Sequence, residues 1–274
     1  MTTHPIAADA LAGAVAAGTR PARANALTAS LIFAGRALLK IKHVPEQLAD
    51  TILVPVLFTL MFTYLFGGAL AGSTAAYLAY LLPGTLVMAV VIVTLYSGVT
   101  LNSDIRTGAF DRFRSLPIWR PSLLVGSLLG DIGRYLIASG IVIGLGLLMG
   151  YRPAAGLAGI VSSVALVIVF ASSVSWFWLL FGLILRSPNA VQISGFILLL
   201  PFTFASNVFV DPSTTPGWLQ AFIEVNPVSH LVTAVRGLMN GTVLLGEVAR
   251  VLATSLALVA VLAPLTVRRY NRRT

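Results

Sequence analysis

The chain has 274 residues, 57% of them among A, V, I, L, M, F, W, Y and C and only 10% charged, with a mean hydropathy of +0.92. A water-soluble domain devotes about a quarter of its residues to charge, so this composition excludes one, and the long uncharged apolar runs make lipid the solvent. The absence of cysteine excludes disulfides, thiolate metal sites and cysteine nucleophiles, and the net charge of +9 sits in short segments beside the apolar runs, as topology determinants do and nucleic-acid surfaces do not.

In chain order, residues 1–26 are rich in Ala, Gly and Thr, lack aromatics and read as a disordered cytoplasmic tail ahead of a membrane domain over 27–274. Residues 6–17 lack a basic leading segment and contain Asp9, which argues against a cleaved signal peptide. Residues 27–42 have helical periodicity, but are too short and too basic to span. With Arg36, Lys40 and Lys42 they suit a helix on the cytoplasmic membrane face. Crossing about 30 Å of hydrocarbon takes about 20 apolar residues. Six segments approach that: 51–71, 81–101, 123–150, 157–185, 190–210 and 251–267.

Most of the 18 basic residues then fall on one side. Arg20, Arg23, Arg36, Lys40, Lys42, Arg106, Arg112, Arg114, Arg120, Arg186, Arg268, Arg269, Arg272 and Arg273 are inside. Arg152, Arg236 and Arg250 are outside. This bias predicts both termini in the cytoplasm and an even number of spans.

Two connections are unusual. The loop 102–122, NSDIRTGAFDRFRSLPIWRPS, alternates charge with aromatic residues. Gly108 and Pro117 bracket a short helix with Phe110, Phe113 and Leu116 on one side and Asp111, Arg112 and Arg114 elsewhere. Such a helix suits a groove on a partner protein, or a basic topogenic loop resting on lipid head groups. The segment 211–250 is neither a full span nor an ordinary loop. Asn226 and Pro227 open a helix there, over 228–239, that covers only about 18 Å. It fits a re-entrant or interfacial helix ending at Asn240 and Gly241, with Arg236 paired to Glu224 or lining an exit route.

A search for catalysis finds little. His4, His43 and His230 are far apart, no span contains a histidine, and the P-loop pattern GxxxxGK[ST] is absent. Asp131 and Arg134, spaced i, i+3 within the third span, share a helix face and can pair. Two readings follow: an ion pair that neutralises itself, or a proton-coupled secondary transporter using Asp131.

The segment LLLLPFTFASNVFVDPSTTPGWLQAFIEVNPVSHLVTAVRGLMNG, with the loop TGAFDRFRSLPI, resembles type-2 ATP-binding-cassette (ABC) exporter permeases, in particular the actinobacterial daunorubicin/doxorubicin-resistance type of membrane subunit. The positions that match are Pro201, Ser206, Asn207, Phe209, Pro212, Pro216, Trp218, Leu219, Asn226, Pro227, Arg236 and Gly241, while Asp211 before Pro212 departs from the pattern. The resemblance covers nearly the whole chain. It implies an all-α fold of six transmembrane helices with an N-terminal interfacial helix, a cytoplasmic coupling helix and an outer re-entrant helix before the sixth span. It also implies a homo- or heterodimer of permease subunits in a bacterial plasma membrane, exporting an amphipathic drug-like or lipid-like substrate by alternating access. Two copies of a separate ABC ATPase would bind ATP and magnesium, leaving this chain without a cofactor. Arg106, Phe110, Asp111, Arg112, Phe113, Arg114 and Leu116 would form the coupling site. Trp218, Glu224, Asn226, Pro227, Arg236 and Gly241 would form the outer re-entrant region.

Overall fold

The computed structural model describes residues 25–43, 45–108 and 121–272, and every regular element among them is helical. The order is α1 (Ala26–His43), α2 (Pro45–Ala71), α3 (Thr74–Val93), α4 (Leu95–Arg106), α5 (Ser122–Leu148), α6 (Gly156–Ile184), α7 (Pro188–Phe204), a 3-10 turn (Pro212–Thr214), α8 (Gly217–Val225), α9 (Pro227–Asn240) and α10 (Leu245–Arg272). Among the described residues, five helical stretches are long and apolar enough to cross a membrane: Leu53–Ala71, Thr74–Arg106, Ser122–Leu148, Gly156–Ile184 and Leu245–Arg272. The 17-residue α7 is apolar but shorter, about 25 Å at 1.5 Å per residue.

The central element is α3–α4, a 33-residue span. Its turn at Thr94 tightens: the Thr94 N–H is shared between the carbonyls of Val90 and Val91, and Ser97 N–H reaches back to Thr94 O. It is longer at both ends than the expected 81–101, because the two tyrosines before it and the polar NSDIR after it continue the helix. Leu81, Leu82, Leu86, Val87 and Val90 are all fully buried, so this span faces protein on every side. The last helix is likewise longer than the expected 251–267. Glu247 and Arg250 form an i, i+3 pair at 2.7 Å in its first turns, and Arg269 and Arg272 lie in its last turn, where cations complement the helix dipole. In contrast, α7 stops six residues short of the expected 210. Pro201 lacks the N–H owed to the fourth residue before it, and the helix ends one turn later.

Glycines set the helix spacing. Where α4 crosses α6, a Cβ on Gly182 would meet the Gly98 carbonyl at 2.5 Å, and one on Gly98 would collide with the Trp178 carbonyl. Backbones approach this closely only where both helices present no side chain. On α5, Gly126 and Gly130, four residues apart, receive Ser30, Phe33, Ala34 and Ala37 of α1. So α1 is docked on the bundle along a small-residue seam, burying Ala29, Ser30, Phe33 and Ala34 while Leu27, Leu31, Ile32 and Leu39 stay exposed. An interfacial helix in free contact with lipid would not bury that face.

Candidate transport machinery

At the loop end of the bundle, α4 terminates in Arg106, an exposed cation in its last turn. Phe110, Asp111, Arg112, Phe113, Arg114 and Leu116 lie outside the described residues. What leads into them is firmly anchored. Asn102 Nδ2 donates to Gly182 O (2.8 Å) and Leu185 O (2.7 Å), two of the carbonyls that α6 leaves unpaired at its C-terminus. Two residues on, Asp104 meets Arg36 of α1 at 3.5 Å. The stem of the loop is thereby tied to both α6 and α1.

Asp131 and Arg134 lie within the bundle, on α5, and pair at 2.9 Å with both side chains almost fully buried. The other carboxylate oxygen accepts a hydrogen bond from Ser97 Oγ at 2.6 Å, so α4 and α5 are joined through it. Beside the pair, the Tyr135 hydroxyl and Ser175 Oγ are 2.5 Å apart, and Trp178 Nε1 donates to Thr94 Oγ1 at 2.9 Å. The tightened turn of the α3–α4 span therefore sits in a belt of polar contacts linking α4, α5 and α6. Sequence reading found only the charged members of this belt. Ser97, Thr94, Tyr135, Ser175 and Trp178 gave no signal, because single polar residues in a span are common.

The opposite end is built around segment 205–211. Asn207 and Phe209 have their carbonyls pinned to α3: Tyr80 hydroxyl donates to Asn207 O (3.1 Å) and Tyr77 hydroxyl to Phe209 O (3.0 Å). Between these pins, Val208 lies so close to α3 that a Cβ on Gly84 would stand 2.9 Å from its Cα. Arg236, on α9, completes the clasp. Its Nε and Nη2 donate to Tyr80 O at 3.3 and 3.1 Å, Nη2 donates to Asn207 O at 3.1 Å, and its guanidinium lies 3.9 Å from the centre of the Tyr80 ring. A planar fork over an aromatic face with several carbonyl acceptors is a geometry that arginine alone provides. Arg236 thus turns away from Glu224, which is exposed, and no ion pair joins the two.

Asn226 has two roles. Its Oδ1 accepts from Val228 N–H at 2.9 Å, capping α9, and its Nδ2 donates to Phe202 O (2.8 Å) and Ala205 O (2.9 Å), closing the end of α7. Pro227 occupies the first turn of α9, where its missing N–H costs nothing, and Gly241 ends the helix at φ +76°, a left-handed conformation that favours glycine. The region before α9 contains the separate helix α8. There Ile223 is buried, Glu224 is exposed and Trp218 is 75% exposed. The non-matching Asp211 caps the 3-10 turn: its Oδ1 accepts from Ser213 N–H (2.9 Å) and Oγ (2.7 Å), which holds its carboxyl below the usual range.

Comparison with known proteins agrees with this architecture. Residues 29–240 match the family described as ABC-2 type transporter. The chain is 48% identical over 272 residues to the daunorubicin resistance ABC transporter permease protein DrrB1 of Streptomyces coeruleorubidus, covering 99% of this chain and 96% of that one. It is 24% identical over 196 residues to the probable doxorubicin resistance ABC transporter permease protein DrrC of Mycobacterium tuberculosis, over 70% of each chain. It is 26% identical over 213 residues to the putative transport permease ycf38 of Porphyra purpurea, covering 76% of this chain and 72% of that one. With Asn207, Phe209 and Arg236 of the matching positions joined in the clasp at one end of an all-helical, multi-pass bundle, the chain belongs to the ABC-2 type transporter family of membrane permeases.

Proposed function

We propose that this chain is the membrane-spanning subunit of an ATP-driven exporter that confers drug resistance, moving an amphipathic drug-like or lipid-like compound out of a bacterial cell. The single observation behind this reading is the near-end-to-end similarity to a daunorubicin resistance permease. The missing P-loop is consistent with it, since the nucleotide chemistry then belongs to a separate ATPase. In this reading α7 counts as a sixth span, the termini and the loop after α4 face the cytoplasm, and the α8–α9 hairpin re-enters from outside. The segment with Phe110, Asp111, Arg112, Phe113, Arg114 and Leu116, together with Arg106, docks on the ATPase. Two permease copies and two ATPase copies make the working unit, and closure of the ATPase pair rocks the permease halves between inward- and outward-facing states. The anchoring of the loop stem by Asn102 and by Arg36–Asp104 supports this, because force applied at the loop reaches α6 and α1 directly.

The test is transport in membrane vesicles holding the permease and its ATPase. Export of a fluorescent amphipathic drug is expected to require ATP and to vanish when the ATPase's Walker lysine is replaced. Joint replacement Phe113→Ala and Arg114→Ala is expected to cut co-purification of the ATPase about tenfold or more while membrane insertion stays normal, in keeping with the loss of an aromatic anchor. Export that survives ATP depletion and collapses with an uncoupler would sink this proposal in favour of proton coupling through Asp131.

A further inference from the structure

At the hairpin end of the bundle, between α8, α9 and the start of α10, an open polar recess of about 540 Å³ is lined by Asn207, Glu224, Ser229, His230, Glu247 and Arg250, among others. Its chemistry is lopsided. Glu247 is engaged twice, by His230 Nδ1 and by Arg250 Nη1, each at 2.7 Å. When the neutral imidazole donates from Nδ1, its Nε2 is left as an acceptor. Asn207 uses its Nδ2 on Thr233 Oγ1 at 2.8 Å, so its Oδ1 is the free end of the amide. That Oδ1 and Ser229 Oγ, on residues 7% and 4% exposed, are both buried without a hydrogen-bond partner. The walls therefore hold two carboxylates and two orphaned polar atoms against a single guanidinium, and the Arg250 side chain is 63% exposed. Orphaned polar atoms in a wall are costly, which points to a partner supplied from outside the chain. Flanking elements add an apolar margin: Val225 ends α8 at 80% exposure and Leu245 begins α10 at 76%.

We propose that this recess binds the headgroup of an aminophospholipid, with a primary ammonium against the acceptor-rich wall, the phosphate against Arg250 and the acyl region along Val225 and Leu245. A primary ammonium has three N–H donors to distribute over acceptors, whereas a quaternary choline has none. An anionic headgroup would meet two carboxylates with one guanidinium. The site depends on the membrane setting of the chain and not on export, so it stands or falls independently of the transport reading.

The experiment is native mass spectrometry of the purified permease in detergent, with phosphatidylethanolamine and phosphatidylcholine of identical acyl chains in competition and soluble phosphoethanolamine in a separate arm. Phosphatidylethanolamine is expected to be retained roughly tenfold over phosphatidylcholine, the factor for one charge-assisted hydrogen bond. Glu224→Gln is expected to abolish that preference, and Arg250→Gln to weaken retention of both lipids alike while the preference persists, Glu224→Gln leaving the unfolding temperature in lipid-free detergent unchanged. Equal retention of the two lipids, a preference unchanged by Glu224→Gln, or binding of soluble phosphoethanolamine without retention of the lipid would overturn the proposal.

Discussion

Asn102 and Asn226 each place an amide Nδ2 between two backbone carbonyls at the C-terminal end of another helix, α6 in one case and α7 in the other. A span that ends inside protein has no water to satisfy its last carbonyls, so a distant side chain must do it. Replacement of either by Asp removes both donors and sets a carboxylate against carbonyl oxygens. Each Asn→Asp variant is expected to lose about 2–4 kcal/mol, two hydrogen bonds plus repulsion, and Asn→Ala somewhat less. Thermal unfolding in detergent measures this, and an unchanged unfolding temperature would remove both asparagines from the account. Legibility at this scale follows sequence distance. The Asp131–Arg134 pair could be read from its spacing because one helical turn joins the two residues. Arg236 could be singled out but not assigned, because its partners, Tyr80 and Asn207, are 156 and 29 residues away.

Among the elements, hydropathy alone locates the long helices well, since lipid requires length and apolarity and little else. It misses where they begin and end. The polar ends of α3–α4 and α10 remain helical because their side chains find partners such as Gly182 O and Glu247, which hydropathy does not register. The position of α1 was also unreadable, because a seam of Gly, Ser and Ala looks like low-information sequence until its partner helix is known. Gly126→Val should push α1 off α5, as its Cβ would meet Ser30 O at 2.7 Å. Overpacking of this kind costs about 1–3 kcal/mol, so tryptic cleavage after Arg36 should accelerate about tenfold. Gly140→Val is the control, having no neighbour within 4 Å of an added Cβ. Equal cleavage of the two variants would mean that α1 is not held by the seam.

For the molecule as a whole, the distribution of basic residues predicts an orientation, and the native chain, free of cysteine, is suited to testing it. Ser213→Cys, in the 3-10 turn beside α8, is expected to react with a membrane-impermeant maleimide on intact cells. Asn271→Cys, near the end of α10, is expected to react only after permeabilisation. External labelling of Asn271→Cys would break the even-span arrangement. What the sequence could not convey at this scale is that the two ends differ in construction. The loop end is held mainly by small-residue packing, one amide and the Arg36–Asp104 pair. The hairpin end is held by side chains locking a non-helical segment onto α3.

The Arg236 clasp also has a bearing on biogenesis. Tyr80 emerges from the ribosome 156 residues before the side chain that completes its end of α3. At ~5–20 residues per second that gap lasts roughly 8–30 s. During this interval the α3 tyrosines and the later-arriving 205–211 segment lack their guanidinium. The nascent chain is thus immature until its penultimate helix is made, and for any membrane protease that samples polar groups left open, a chain stalled before residue 236 is distinguishable from a finished one.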